Sequence, residues 1–185
     1  MTAKTHRADM FVDPDSDPRT DTPTQGGEKE TLTGFLRWQR ETLELKCSGL
    51  DAEQLARRAV EPSTMSLLGL VRHMAEVERG WFRRFMNGHD APPMFYSRDD
   101  PDRDFAGAVA DQAVVGAAFR TWREEIDFAD TYVAETDLSV LGVRKDSDLG
   151  PTSLRWVLTH MIEEYARHLG HADLLRERID GRLGQ

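Results

Sequence analysis

The 185-residue sequence has a single cysteine, Cys47, and no long run of apolar residues. One cysteine excludes an internal disulfide, and its place at the end of a helical pattern favours a packed thiol over a nucleophile. No apolar stretch approaches the roughly 20 residues that a membrane-spanning helix needs. The N-terminus also lacks a hydrophobic signal region. We therefore expect a cytoplasmic protein without a membrane partner.

Basic residues are outnumbered by acidic ones. The chain has 24 Lys and Arg against 33 Asp and Glu, which gives a formal net charge of −9. A surface with this balance does not suit phosphate backbones or anionic lipids. We expect no nucleic-acid partner.

Several motifs that would identify an enzyme class are missing. The sequence has no GxxxxGK[ST] phosphate loop, no GxGxxG, no GxSxG and no HExxH. It also lacks the Glu-x-x-His pairs of a ferritin-like di-iron centre. Any site must therefore be found from spacing along the predicted helices.

Four amphipathic patterns follow a polar leader. Residues 1–27 contain three prolines and five aspartates with almost no apolar repeat, so we expect a disordered leader that folding does not need. Apolar residues then recur at intervals of three and four, and strand-like alternation is absent. Residues 28–185 are therefore predicted to form one all-α domain, a four-helix bundle.

The predicted helices are separated by long connections. They cover residues 28–47 with a short extension at 51–58, then about 64–87, about 105–135 and about 152–181, with caps expected at Asp51, at Ser63 or Thr64, and at Thr152. The connections at 89–105 and 136–151 are long enough to shape a pocket, and a loosely packed connection is the alternative for the first.

The last helical pattern carries four potential metal ligands, at spacings of four, four and three: His160, Glu164, His168 and His171. These spacings place them within an arc of about 80° on one helix face, beside an apolar arc that faces the core. Glu163 points about 100° away from Glu164 and is expected to face solvent. A single histidine on such a face is more often a hydrogen-bonded core residue. Three histidines and a carboxylate together favour a cation, because burying so much unpaired polarity is costly.

The second helix contributes one histidine at the edge of its apolar arc. His73 can therefore reach the interior and join Glu164 and His168 in a set of two histidines and one carboxylate, which suits zinc, nickel or ferrous iron. His160 and His171 could replace a member of this set, orient it, or line the pocket above it.

Glu78 lies inside the apolar arc of the second helix. A buried carboxylate needs a partner, and a structural ion pair is the commoner arrangement. The alternative is a supporting or acid role beside the metal.

Three segments together resemble the DinB superfamily: FLRWQRETLELKCSGLDAEQL, SLLGLVRHMAEVERGWFRRFMNG and SLRWVLTHMIEEYARHLGHADLLRE. The likeness covers about residues 28–181, and its most specific part pairs LVRHM on the second helix with EEYARHLGHAD on the last. Within the superfamily the chain is similar to the actinobacterial branch of mycothiol-dependent transferases and isomerases.

This resemblance implies a four-helix bundle with up-down-down-up connectivity. It also implies a divalent metal bound by one histidine of the second helix and two residues four apart on the last helix. The positions that match are His73, Glu164 and His168, the Glu/His version of the motif. His171 stands where many relatives carry glutamine, and His160 lies outside the motif.

The function that we expect is a metal-dependent S-transferase or isomerase. It would use a small-molecule thiol, mycothiol by resemblance, against an electrophilic substrate, with zinc preferred and nickel or iron as alternatives. A metal-dependent hydrolase, a non-catalytic metal-binding stress protein and a helical interaction module whose histidines only pack are the alternatives. A homodimer is left open.

Overall fold

The structure, a computed structural model, describes residues 11–143 and 150–184. Within these residues the only pairing of strand type is one isolated bridge, between Leu141 and Ser153. The helices are α1 (Glu28–Cys47), α2 (Ala52–Ala56), α3 (Leu67–Glu78), α4 (Arg103–Ala106), α5 (Gln112–Glu135) and α6 (Leu154–Asp180), with a 3₁₀ turn at Pro14–Ser16 and a π-helical segment, Arg79–Met86, that continues α3. The predicted all-α class is confirmed.

Contacts at both ends of α1 and α6 give the relative direction of these two helices. Arg155, at the start of α6, pairs with Glu28 at the start of α1. Arg176, near the end of α6, donates to the carbonyl oxygens of Lys46 and Ser48 at the end of α1. Helices α1 and α6 therefore run parallel.

The long helix formed by α3 and the π-helical segment runs parallel to α5. Arg79 pairs with Glu125, and Arg83, one turn further on, lies over the ring of Phe128. Residues later in one helix thus contact residues later in the other, so the two helices run in the same direction.

Helix α3 is antiparallel to α6. The ring of His73 lies beside His168, whereas Trp81, later in the chain, lies beside His160, which is earlier in α6. Helices α1 and α6 therefore point one way and α3 and α5 the other, which is the up-down-down-up order that was expected.

The core lies between the four long helices. Its fully buried side chains include Leu67, Leu70, Met74, Phe82, Leu158 and Met161. Burying one side chain of this kind contributes about 1.5–3 kcal/mol. The same apolar stripes that predicted the helices fix their rotation about their own axes, and so decide which polar residues face the site.

A buried polar network crosses this core. The guanidinium of Arg40 donates to both carboxylate oxygens of Glu78, each at 2.8 Å, and to Asp130 at 2.7 Å. The Tyr165 hydroxyl donates to Glu78 at 2.8 Å and accepts from the indole N–H of Trp122 at 2.8 Å. Each buried member of this network, Arg40, Glu78, Tyr165 and Trp122, thus has a hydrogen-bond partner, which offsets the cost of its burial.

Residues 11–27 correct the expectation of a disordered leader, since they pack on the bundle; we call them the N-terminal strap. The Phe11 ring is 4% exposed and lies against the charged ends of Lys46 and Arg182, at 4.1 and 3.9 Å from its centroid. Arg19 donates to Thr42 on α1 at 2.9 Å and lies 4.0 Å over the ring of Trp38. Residues 1–10 lie outside the described residues.

Some element boundaries also differ from the predicted ones. Helix α3 is capped by Ser66, whose Oγ accepts from Gly69 N, rather than by Ser63 or Thr64. Helix α6 is capped by Ser153 instead of Thr152. Helix α5 starts at Gln112 rather than at about residue 105, and residues 103–106 form the separate helix α4. No helix in the described part of the chain is both long enough and apolar enough to span a membrane.

Candidate metal centre

Helices α3 and α6 bring together the three residues that the sequence predicted as ligands. One donor atom each from His73, Glu164 and His168 lie within 4.8 Å of one another. Glu164 Oε2 and His168 Nε2 are 3.6 Å apart. Two ligands of a tetrahedral zinc ion, each about 2.1 Å from it, are separated by about 3.4 Å, so this pair is already near that spacing.

Core packing of α6 decides which residues face this centre. Met161, Tyr165 and Leu169 point into the bundle, and Glu164 and His168 follow on the adjacent face. The antiparallel α3 meets them there, so that the rings of His73 and His168 lie 4.7 Å apart. The cluster is thus a consequence of helical phase.

His73 is held by a carboxylate from outside the two helices. Its Nδ1 lies 2.8 Å from Asp104 Oδ2, and its ring stacks on Phe105 at 4.9 Å. Both partners lie on α4, and Arg72 anchors that helix to α3 by donating to the carbonyl oxygens of Arg103 and Asp104. With Nδ1 engaged, Nε2 is the atom left to bind an ion.

The surroundings of His168 favour its neutral imidazole. Burial, with the nearby imidazoles of His73 and His171, lowers the pKa of His168 from 6.5 to about 4. The ring is therefore uncharged at neutral pH, as a metal ligand must be. Its Nδ1 lies 3.5 Å from His171 Nδ1, which leaves Nε2 directed at Glu164.

Glu164 supplies the negative charge of the centre. Its side chain is 17% exposed, and the cationic or imidazole nitrogens of His160, His168 and Arg167 lie 3.5, 3.6 and 4.0 Å from its oxygens. These separations are longer than good hydrogen bonds, so the carboxylate keeps acceptor capacity for an ion. Glu163 is 59% exposed, as its helical phase predicted.

The donor set fits a divalent cation. Two imidazole nitrogens and one carboxylate oxygen are ligands that zinc, nickel and ferrous iron accept, and three protein ligands leave a position for a substrate. His160 and His171 lie beside the set, each next to one of its members. The binding of a metal by these residues stays a prediction.

Glu78 and Cys47 lie apart from this chemistry. Both Glu78 oxygens are engaged by Arg40, and one also by Tyr165, which favours the structural ion pair over a role at the metal. Cys47 is buried, and its burial raises the thiol pKa to about 12.

The first long connection contributes a residue to the site. It contains α4 and therefore Asp104, which was not predicted from the sequence. This connection holds five aspartates without periodicity, so no signal separated Asp104 from the others. Of the second connection, residues 144–149 lie outside the described residues.

Comparisons with known proteins give a family match and a structure of the same fold. The family model described as Mycothiol-S-transferase matches residues 31–181. No curated protein matches the sequence significantly. A solved structure described as a conserved protein of locus from Enterococcus faecalis has the same fold, with a TM-score of 0.58 and 15% identity over 85% of this chain and 99% of that chain.

Proposed function

Because the chain belongs to the mycothiol S-transferase family, a DinB-like family, we propose that it is a divalent-metal-dependent S-transferase that uses mycothiol. Family membership supports a function of the thiol-transferase type. The observation that carries metal dependence is the convergence of His73, Glu164 and His168 within 4.8 Å at the junction of α3 and α6.

The proposed roles of the chain's own residues follow from their contacts. Asp104 holds Nδ1 of His73, so that Nε2 faces the ion. His168 offers a neutral nitrogen, and Glu164 an anionic oxygen that offsets part of the charge of a dication. When bound, zinc, nickel or ferrous iron would lower the pKa of a coordinated thiol so that the thiolate forms at neutral pH.

The protein's own thiol does not supply the nucleophile in this proposal. Cys47 is buried with a pKa of about 12, so its thiolate is scarce at neutral pH. The attacking sulfur is therefore that of the cosubstrate. Its proton leaves to solvent, the sulfur forms a bond to an electrophilic carbon, and the leaving group departs with the electron pair of its former bond.

The test follows consumption of monobromobimane or an activated haloarene. Protein loaded with zinc, nickel or ferrous iron is compared with chelator-treated protein, each with and without mycothiol. The proposal expects turnover only when both metal and thiol are present. Turnover that needs metal but not thiol would favour the hydrolase, and metal binding without any turnover would favour a non-catalytic protein.

We also propose that the protein is cytoplasmic and has no nucleic-acid partner. A homodimer is an alternative to a monomer. Cell fractionation tests the location, and sedimentation of the purified protein tests for the homodimer.

A further inference from the structure

A corner of aromatic rings lies directly beside the candidate metal centre. It consists of Trp81 from the π-helical segment and of Trp156 and His160 from α6, and we call it the aromatic corner. The rings of Trp156 and His160 stack at 4.9 Å with planes 16° apart. Trp81 meets His160 at 4.9 Å and 69°, and Trp156 at 5.5 Å and 54°. Trp156 and His160 thus lie face to face, and the Trp81 ring meets both of them at a steep angle.

The aromatic corner is open to solvent. Trp156 is 42% exposed, and Trp81 is only partly buried. One exposed aromatic residue needs no explanation, but three rings in mutual contact at the edge of a polar site form an apolar surface of the kind that binds ligands. Trp81 also belongs to a π-helical segment, and such segments occur frequently at functional sites.

His160 joins the aromatic corner to the metal centre. Its Nε2 lies 3.5 Å from Glu164 Oε1, while its ring packs on both tryptophans. A molecule bound through one atom at the centre can therefore extend its remaining atoms past His160 to Trp156. The corner borders the centre on the side of Glu164.

The rim of the aromatic corner is polar, and it carries Glu163, whose Oε1 accepts from Arg167 at 2.9 Å. Glu163 Oε2 lies 3.4 Å from His160 Nδ1, and the Glu163 side chain is 59% exposed. Carboxylate oxygens accept hydrogen bonds from hydroxyl groups, and indole faces pack against C–H groups. Two tryptophan rings set at an angle, with an acceptor at the rim, suit a saturated ring that has C–H faces and hydroxyl edges.

We propose that the aromatic corner binds the sugar-like rings of the thiol cosubstrate, an inference that rests on the proposed function. Mycothiol is a cysteine derivative that carries a glucosamine and an inositol ring. It has no charged group apart from the thiol when that is ionised, so its rings offer nothing for an ion pair, and they can be recognised only by packing of their C–H faces and by hydrogen bonds to their hydroxyl groups. Trp156 and Trp81 hold the faces of these rings, and Glu163 accepts from their hydroxyls.

The test compares two thiols in the metal-loaded protein. Mycothiol has the rings, whereas N-acetylcysteine amide has the same acetylated cysteine amide without them. Trp156→Ala should raise KM for mycothiol about tenfold, which corresponds to about 1.4 kcal/mol, and should leave kcat/KM for N-acetylcysteine amide unchanged. Trp81→Phe should give a smaller shift in the same direction, and it tests the corner if Trp156→Ala does not fold. Leu174→Ala, an exposed α6 position in no contact with the corner, is the matched control.

A second readout does not depend on activity or on metal. S-methylated mycothiol, which cannot coordinate as a thiolate, should bind metal-free protein and change its tryptophan fluorescence. Trp156→Ala should weaken this binding by a similar factor. An equal effect of Trp156→Ala on both thiols, or an effect only on KM for the electrophile, would overturn the inference.

The two proposals fail in different ways. If wild-type protein consumes mycothiol but the tryptophan variants match it, the proposed function stands and the aromatic corner is not the ring site. If wild-type protein neither binds nor consumes mycothiol, both are overturned.

Discussion

Asp104 Oδ2 lies 2.8 Å from His73 Nδ1, and the Asp104 side chain is 7% exposed. This contact fixes the ring of one proposed ligand from a separate helix. Removing such a partner usually weakens metal binding by about 10–100-fold. We therefore expect Asp104→Ala to lower zinc affinity by that factor, and Asp104→Asn, which keeps an acceptor oxygen, to lower it less.

Competition with a chelating dye measures this affinity without any substrate. Asp102→Ala is the matched control, because Asp102 lies on the same short segment but its side chain makes no capping hydrogen bond. Zinc binding by Asp104→Ala as tight as that of wild type would refute the orienting role.

The neighbours Glu163 and Glu164 give a second prediction. Glu164→Ala should reduce metal content per chain sharply, since it removes the only anionic donor of the set, and His73→Ala and His168→Ala should do the same. Glu163→Ala should retain the metal, because that side chain is exposed and pairs with Arg167 at 2.9 Å. Elemental analysis after dialysis measures the metal content per chain. Loss of metal in Glu163→Ala together with retention in Glu164→Ala would mean that Glu163, rather than Glu164, faces the metal site.

Helical phase explains why these site residues could be predicted from the sequence. Once apolar spacing fixes the inward face of α6, the direction of Glu164 and His168 follows, and so does the solvent-facing direction of Glu163. His73 follows in the same way from the apolar arc of α3. Their meeting also required the antiparallel packing of α3 on α6, which the family resemblance supplied.

Features outside the long helices could not be predicted in this way. Asp104 lies in a segment without periodicity, and its position depends on how Arg72 anchors α4. The N-terminal strap is polar, so its composition indicates disorder, but it is held by Phe11 and by Arg19. Contacts of single side chains with distant helices leave no repeating pattern in a sequence.

The strap gives a third prediction, which concerns stability. Deleting residues 1–27 should lower the melting temperature by several degrees, because the buried Phe11 side chain alone contributes about 1.5–3 kcal/mol. Deleting residues 1–10 removes none of the described strap contacts and is the control. Equal melting temperatures for both truncations would show that the strap does not stabilise the bundle.

A glycine under the strap sharpens this test. A Cβ added at Gly34 would lie 2.3 Å from Pro23 Cδ, whereas one added at Gly170 meets nothing within 4 Å. Glycine to alanine in a helix normally stabilises by about 1 kcal/mol. Gly34→Ala should therefore destabilise the full chain but stabilise the chain that lacks residues 1–27, while Gly170→Ala should stabilise both.

The last prediction concerns Cys47, whose thiol pKa is raised by burial from 9.0 to about 12. Above pH 9 the unfolded chain releases this proton, whereas the folded protein keeps it until about pH 12. Folding stability therefore falls as pH rises through this window, by about 1.4 kcal/mol per pH unit. Between pH 8 and 10, wild type should lose about 1 kcal/mol more free energy of unfolding than Cys47→Ala, as measured by urea titration. The variant should keep its metal-dependent and thiol-dependent turnover, because the nucleophile is the cosubstrate's sulfur. Parallel losses of stability in both proteins would mean that the folded state ionises the thiol readily, and a loss of turnover in Cys47→Ala would assign this sulfur a part in the reaction.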